Sequence, residues 1–387
     1  MEDIKDKENI CNLSFEDLNI NDELLRGIYS YGFEKPSSIQ HKGIPYIVEG
    51  KDLIAQSQSG TGKTGSFTIG ILNKIDTSIK KTQYIVIAPT HELANQIYNV
   101  FENLSSYMKV SLCKVVGKTN MQKSISELQK DPQIIIGTPG RILDMINRKH
   151  LFTDSIKTLV LDEADEILSS GFLDNIYNII QTIPKSTQIC LYSATMPQEI
   201  LDLTNQFMNN PQEILVQADS LTLEGIQQFY ISLKQYKWKF DVLIDIYDTI
   251  NITQSIIYVN SKTVLSNLYD RLISNDFPVS HIHGDMDKFN REKNLDDFKS
   301  GKTRVLLSTD LLSRGIDIQQ LSLVINFDLP RSKETYIHRI GRSGRYGRKG
   351  VSINFVTDED TQHMHDIEKF YNTEIKEMPQ NLEDYIN

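Results

Sequence analysis

Short runs of apolar, largely β-branched residues alternate with longer mixed segments along this chain, and the alternation occurs twice. In the first half the runs are Leu53–Ala55, Tyr84–Ala88, Ile134–Thr138, Thr158–Leu161 and Ile189–Tyr192. In the second they are Ile256–Asn260, Val279–His283, Val305–Thr309, Leu323–Phe327 and Val351–Val356. Each is short and nearly continuous in its apolar character, which suits a strand buried on both faces. The segments between them are helix-like. In Glu92–Leu104, for instance, Leu93, Ile97, Val100, Phe101 and Leu104 mark one face. Apolar strands spaced by helices imply a parallel sheet covered on both sides. The expected fold is therefore α/β, with two tandem doubly wound parallel-sheet domains joined by a short linker.

The length agrees, because 387 residues exceed one ordinary core. A helix-like stretch around Ile200–Met208 closes the first set of elements, and Asn210-Pro211 then favours a turn. The expected organisation is a disordered tail at 1–12, a first domain at 13–217, a linker at 218–225 and a second domain at 226–387. Hydrophobic residues make up 39% and charged residues 24%, as in a folded chain. No apolar run reaches the roughly 18–20 residues of a membrane span. The polar, acidic start MEDIKDKENICNLS has no apolar core for a secretory signal. Cys11, Cys113 and Cys190 share no metal-ligand or redox spacing, so free thiols in cytoplasm or nucleus are expected. The net charge of −10 opposes diffuse binding to nucleic acid but leaves room for a local basic groove.

The run SQSGTGKT, Ser57–Thr64, lies between the strand Leu53–Ala55 and a helix-like stretch at Phe67–Leu72. That strand–loop–helix setting is what a phosphate-binding loop requires. Gly60 and Gly62 let backbone N–H groups turn toward phosphate oxygens. The expected cradle is Ser57, Gln58, Ser59, Gly60, Thr61, Gly62, Lys63 and Thr64, with Lys63 on the β- and γ-phosphates and the Thr64 hydroxyl on Mg²⁺. Ser57 departs from the general pattern, which has Gly at that position. In LVLDEAD, Leu159–Asp165, Asp162 ends a buried strand, where open α/β sheets bind ligands. It is a candidate for Mg²⁺ through water, and Glu163 for base or water-positioning residue. This chemistry supports nucleotide hydrolysis without saying what the hydrolysis drives.

The tetrapeptide Asp162-Glu163-Ala164-Asp165 resembles the name-giving motif of the DEAD-box RNA helicases, and other motifs follow in that family's order. GFEKPSSIQ at Gly32–Gln40, PTHELA at Pro89–Ala94, TPGR at Thr138–Arg141 and SAT at Ser193–Thr195 lie in the first half. IIYVN at Ile256–Asn260, HGDM at His283–Met286, STDLLSRGID at Ser308–Asp317 and YIHRIGRSGRYGRKG at Tyr336–Gly350 lie in the second. The resemblance runs from about Phe15 to the C-terminus. Within the family the chain is most similar to the translation initiation factor 4A group, through LLRGIYSYGFEKPSSIQ, LTLEGIQQFY and the tail IEKFYNTEIKEMPQNLEDYI.

The resemblance implies two RecA-like domains, ATP with Mg²⁺, and RNA as the object of the work. It implies that Phe33 stacks on adenine and that Gln40 pairs with it, since an amide is both donor and acceptor. It makes Arg342 and Arg345 arginine fingers, and sets Gly315 and Asp317 beside ribose and phosphates. Asp165, Ser193, Thr195 and His338 become relays between nucleotide state and domain closure. Pro89, Thr90, Thr138, Gly140 and Arg141, with Asn260, Gly284, Asp285, Arg291 and Thr309, become RNA-backbone contacts. A scaffold similar to initiation factor 4G is the implied protein partner, and a monomer is expected. Two departures bear on RNA affinity: His91 stands where the family has Arg, and Gly117-Lys118 replaces Gly-Gly. The expected activity is an ATP-dependent RNA helicase of translation initiation. Alternatives are an ATP-gated RNA clamp in splicing-linked or ribosome-assembly complexes, and a DNA-directed motor, which the DEAD resemblance disfavours.

Overall fold

The computed structural model describes residues 14–57, 60–117, 119–169, 171–215, 226–250, 252–310, 321–343, 350–379, 381–382 and 385. The chain divides into two compact units, Met1–Val216 and Gln217–Asn387. The expected tail at 1–12 and linker at 218–225 lie outside the described residues.

The first unit holds strands β1 (Leu53–Gln56), β2 (Tyr84–Ile87), β3 (Leu112–Val115), β4 (Ile134–Gly137), β5 (Thr158–Asp162), β6 (Gln188–Ser193) and β7 (Gln212–Ile214). They form one sheet in the order β3-β4-β2-β5-β6-β1-β7, parallel at every pairing. Alternate residues feed two cores, because successive side chains of a strand point to opposite faces. Leu53, Ala55, Tyr84, Val86, Ile134 and Ile136 pack with Phe67, Ile97 and Phe101 on one side. Ile54, Ile85, Ile87, Ile135, Leu159 and Leu161 pack with Ile142, Met145, Ile176 and Ile179 on the other. Burial on both faces is why these strands read as continuous apolar runs.

The second unit holds β8 (Ile226–Leu233), β9 (Ser255–Tyr258), β10 (Val279–Ile282), β11 (Val305–Ser308), β12 (Leu323–Asn326), β13 (Gly350–Thr357) and β14 (Lys376–Glu377). Its order is β10-β11-β9-β12-β13-β8-β14, again all parallel. This is the permutation of the first sheet, strand for strand. Ile257, Leu307, Leu323 and Ile325 face Leu243, Leu265, Leu268 and Leu272. Ile256, Tyr258, Leu306 and Val324 face the opposite side with Phe298.

Both units thus have the expected architecture, and four strands add to it. β3 is an edge strand of alternating burial that carries Lys114, and β7 and β14 are short edge strands. β8 is internal yet contains Gln227 and Gln228. Gln228 is buried, donates to Thr373 Oγ1 at 2.8 Å and accepts from Tyr336 Oη at 2.9 Å. Partnered in this way, an amide can lie inside a sheet.

Candidate nucleotide and RNA site

The phosphate loop leaves the C-terminal end of β1, the edge at which α/β sheets bind ligands. Gly60 and Gly62 have φ of 84° and 101°, a left-handed geometry that favours glycine. Gly62 caps the helix Lys63–Lys74, whose first N–H groups have no partners inside the helix. Those donors and the positive end of the helix dipole suit an anion. Lys63 begins this helix and is buried. Its Nζ lies 3.7 Å from Glu163 Oε1 and makes no hydrogen bond among the described residues. A buried ammonium with so little compensation is costly, and a phosphate would supply what it lacks. The residues fit a nucleotide triphosphate.

Two acids follow at the tip of β5. Asp162 Oδ1 accepts from Glu163 N at 3.1 Å. Burial, reinforced by Glu163 and opposed by Lys63, pushes the Asp162 carboxyl up to about 7. A nearby divalent cation would reverse that shift, and an all-oxygen set of carboxylate and hydroxyl suits Mg²⁺. Glu163 has φ of 52°, an unusual backbone for a residue with a side chain.

Ser193, Ala194 and Thr195 are gripped from both sides. Ser57 N donates to Ser193 O at 3.0 Å, and Gln56 Nε2 to Ala194 O at 3.4 Å. Thr195 Oγ1 donates to Asp165 Oδ2 at 2.5 Å. The end of β6 therefore bridges the phosphate loop and the acidic segment. Asp165, Ser193 and Thr195 come together as a group; Ser193 Oγ is buried with no hydrogen-bond partner among the described residues.

Gln40 and Phe33 lie against the phosphate loop. Gln40 Oε1 accepts from Ser37 N at 2.9 Å, and Nε2 donates to Gly62 O at 3.2 Å. Each end of the amide keeps one further hydrogen-bonding capacity. A Cβ at Gly65 would lie 2.5 Å from Gln40 Nε2 and 3.2 Å from Phe33 Cε2, so Gly65 makes room for both. Phe33 is half-buried, stacked on Phe15 at 6.4 Å and met edge-on by Tyr31 at 5.1 Å.

The first unit's RNA candidates cluster at the ends of β2 and β4. Pro89 is buried. Thr90 caps the helix His91–Leu104 by accepting from Leu93 N at 3.2 Å. Thr138 begins the helix Pro139–Asn147, and its Oγ1 accepts from Gly117 N at 3.3 Å. Gly140 is exposed, and Arg141 Nη2 reaches Thr119 O at 3.4 Å. A Cβ at Gly117 would lie 3.5 Å from His91 Nε2, so His91 adjoins Gly117.

In the second unit Asn260 is engaged internally. Its Nδ2 donates to Leu329 O at 2.7 Å, and its Oδ1 accepts from Arg339 Nη2 at 2.7 Å. Arg291 Nη2 holds the carbonyls of Gly284 and Met286, each at 3.1 Å, and so shapes the loop that carries Gly284 and Asp285. Asp285 pairs with Lys262. The Thr309 carbonyl accepts from Ser308 Oγ at 2.6 Å. His338 lies on the helix Lys333–Ile340, and Arg342 follows it, with Nε on His338 O at 3.2 Å. Gln58, Ser59, Lys118, Gly315, Asp317 and Arg345 lie outside the described residues.

Residues 37–203 match the family model of the DEAD/DEAH box helicases, and residues 238–347 match that of the helicase conserved C-terminal domain. An ATP-dependent RNA helicase eIF4A from Pyricularia oryzae is 53% identical over 96% of this chain and 94% of its own length. One from Meyerozyma guilliermondii is 52% identical over 97% and 94%. The chain belongs to the DEAD/DEAH box helicases. Among solved structures of this family, S. cerevisiae Dbp5 bound to RNA and ADP BeF3 is 37% identical with a TM-score of 0.90, covering 96% of this chain and 97% of that one. Mss116p bound to ssRNA and AMP-PNP is 26% identical with a TM-score of 0.85, covering 96% and 80%.

For a DEAD/DEAH box helicase, one part of the second unit escaped the sequence reading. Arg339 has no exposed surface. It donates to Asp310 Oδ1 at 2.6 Å, Asn260 Oδ1 at 2.7 Å, Asp328 O at 2.7 Å and Asn326 Oδ1 at 3.2 Å. Lys239, also buried, reaches Phe327 O at 2.6 Å and Asp328 Oδ1 at 3.2 Å. Together they lock the ends of β9, β11 and β12 to the helix that carries His338. The available signal was a guanidinium set among Tyr336, Ile337 and Ile340 on one short helix.

Proposed function

We propose that this helicase hydrolyses ATP to remodel short RNA duplexes in cap-dependent translation initiation. The observation that carries the nucleotide reading is the buried Lys63 ammonium, which has no hydrogen-bond acceptor among the described residues and lies at a helix N-terminus beside two acids. Loop residues Ser57–Thr64 wrap the phosphates, while Phe33 stacks on the adenine and Gln40 uses its remaining capacity on the base edge. Thr64 and Asp162 would hold Mg²⁺, which supplies charge neutralisation on the β- and γ-phosphates. Glu163 orients the attacking water. Arg342 and Arg345 bring positive charge to the γ-phosphate from the second domain, with Gly315 and Asp317 beside the ribose, so the site is completed only on closure.

RNA lies along Pro89, Thr90, Thr138, Gly140 and Arg141 in the first domain and along Gly284, Asp285, Arg291 and Thr309 in the second. Asn260 serves there by holding the frame of its strand end. Contacts of this kind grip phosphates and 2′-hydroxyls without reading sequence. Asp165, Ser193, Thr195 and His338 transmit nucleotide state to closure. Binding of RNA and of ATP then reinforce each other reciprocally. The enzyme works as a cytoplasmic monomer beside a scaffold similar to initiation factor 4G, by analogy with the eIF4A relatives.

The test compares ATP turnover with single-stranded RNA, with DNA of identical sequence and with neither, alongside separation of a short RNA duplex. RNA is expected to raise turnover severalfold and DNA to leave it near the basal rate. Turnover indifferent to RNA, or equal stimulation by DNA, overturns the reading.

A further inference from the structure

We propose that Ser57 is a positioning residue for nucleotide binding, because its hydroxyl ties the start of the phosphate loop to the loop's far side at Thr61. The proposal rests on the reading of this loop as the phosphate cradle. Ser57 Oγ and Thr61 Oγ1 lie 2.6 Å apart, a hydrogen bond in which either hydroxyl is the donor. Ser57 is buried, and its N–H is fastened to Ser193 O at 3.0 Å, so one end of the tie belongs to the sheet. Thr61 precedes Gly62, the residue that opens the helix Lys63–Lys74, so the other end belongs to the entrance of that helix.

Glycine residues such as Gly60 and Gly62 carry wide intrinsic backbone freedom. Binding must remove that freedom, and affinity falls by whatever the ordering costs. A bond between two short side chains closes the loop at little rotamer cost. The tied loop does not obstruct the site: Gly60 and Gly62 already hold left-handed backbones, and Lys63 Nζ still lacks an acceptor among the described residues. A glycine at position 57, as in the general phosphate-loop pattern, could not make this bond. The hydroxyl is thus a feature of this chain that fixes Thr61 and the helix entrance at Gly62 before a diphosphate arrives.

The experiment titrates fluorescently labelled ADP with Mg²⁺ into the full chain and follows ATP turnover in parallel. Five proteins are compared with the parent: Ser57→Ala, Ser57→Thr, Thr61→Val, the double Ser57→Ala/Thr61→Val, and Lys63→Ala. Loss of one net hydrogen bond predicts that Ser57→Ala weakens ADP binding roughly two- to ten-fold. The effect should fall on KM for ATP rather than on kcat, with the melting temperature lowered by no more than about 2–4 °C. Ser57→Thr, which keeps the hydroxyl, should bind ADP like the parent. The double variant should be no weaker than the weaker single, because both singles break the same bond. Unchanged or tighter ADP binding by Ser57→Ala overturns the proposal, as do single effects that multiply in the double. Lys63→Ala separates the two failures. Parental ADP affinity in that variant removes the cradle reading itself, whereas a large loss there with a silent Ser57→Ala removes only the tie.

Discussion

The two units share one strand permutation, and each buries a cation near the C-terminal ends of its strands, but they treat that cation in opposite ways. In the first unit Lys63 Nζ lies 3.7 Å from Glu163 Oε1, feels the charge of Asp162 as well, and has no hydrogen bond among the described residues. In the second, Arg339 has acceptors on Asp310, Asn260, Asp328 and Asn326. A buried donor without acceptors is expensive unless a ligand completes it, and one with all its acceptors is part of the frame. The contrast separates a cation left open to a ligand from one that holds other groups still, although both are buried cations in an α/β unit.

The largest expected effect tests the open side. Glu163→Gln keeps the size of the side chain but removes its basicity, so kcat should fall about 10²- to 10⁴-fold while ADP still binds. Turnover within a few-fold of the parent would leave Lys63 beside an acid that does nothing, and the contrast would lose its first half. Next comes the closed side. Arg339→Met strands several buried acceptors at once, and denaturant titration should show a loss of about 3–5 kcal/mol. A loss below about 1 kcal/mol, the scale of a surface pair, would show that the bonds around Arg339 are not a frame.

A smaller effect sharpens the comparison through pH. Burial raises the Asp162 carboxyl from 3.8 to about 7, so ionising it opposes folding. That penalty is absent below 3.8, grows as pH climbs toward 7, and is constant above. Without nucleotide or divalent metal, Asp162→Asn should therefore melt higher than the parent above pH 7, and the gap should close as pH falls toward 3.8. A gap that ignores pH would mean that the parent carboxyl titrates normally.

Much of this was legible before any coordinates. Continuous apolar runs announced strands buried on both faces, and the two motifs marked for nucleotide chemistry hold Lys63 and Glu163, which the structure sets 3.7 Å apart. What escaped notice was polarity placed inside. β8 hides because Gln228 is satisfied by Tyr336 and Thr373, partners 108 and 145 residues away. Arg339 stood within a recognisable motif, but its role depends on four acceptors contributed by β9, β11, β12 and the turns after them, which no local pattern reveals. Asn260 was marked for RNA by the resemblance of its motif; the structure has both ends of its amide bonded within the unit. Local spacing reports which residues could act, whereas long-range bonding decides which are already occupied.

The left-handed backbone at Glu163, with φ of 52°, carries one more implication. Glycine or asparagine would relax that backbone and lend the first unit some endurance against heat. The same replacement would delete the carboxylate proposed to align water. A screen rewarding thermal survival alone would thus drift toward an inert protein, because at this single position toughness and turnover pull apart.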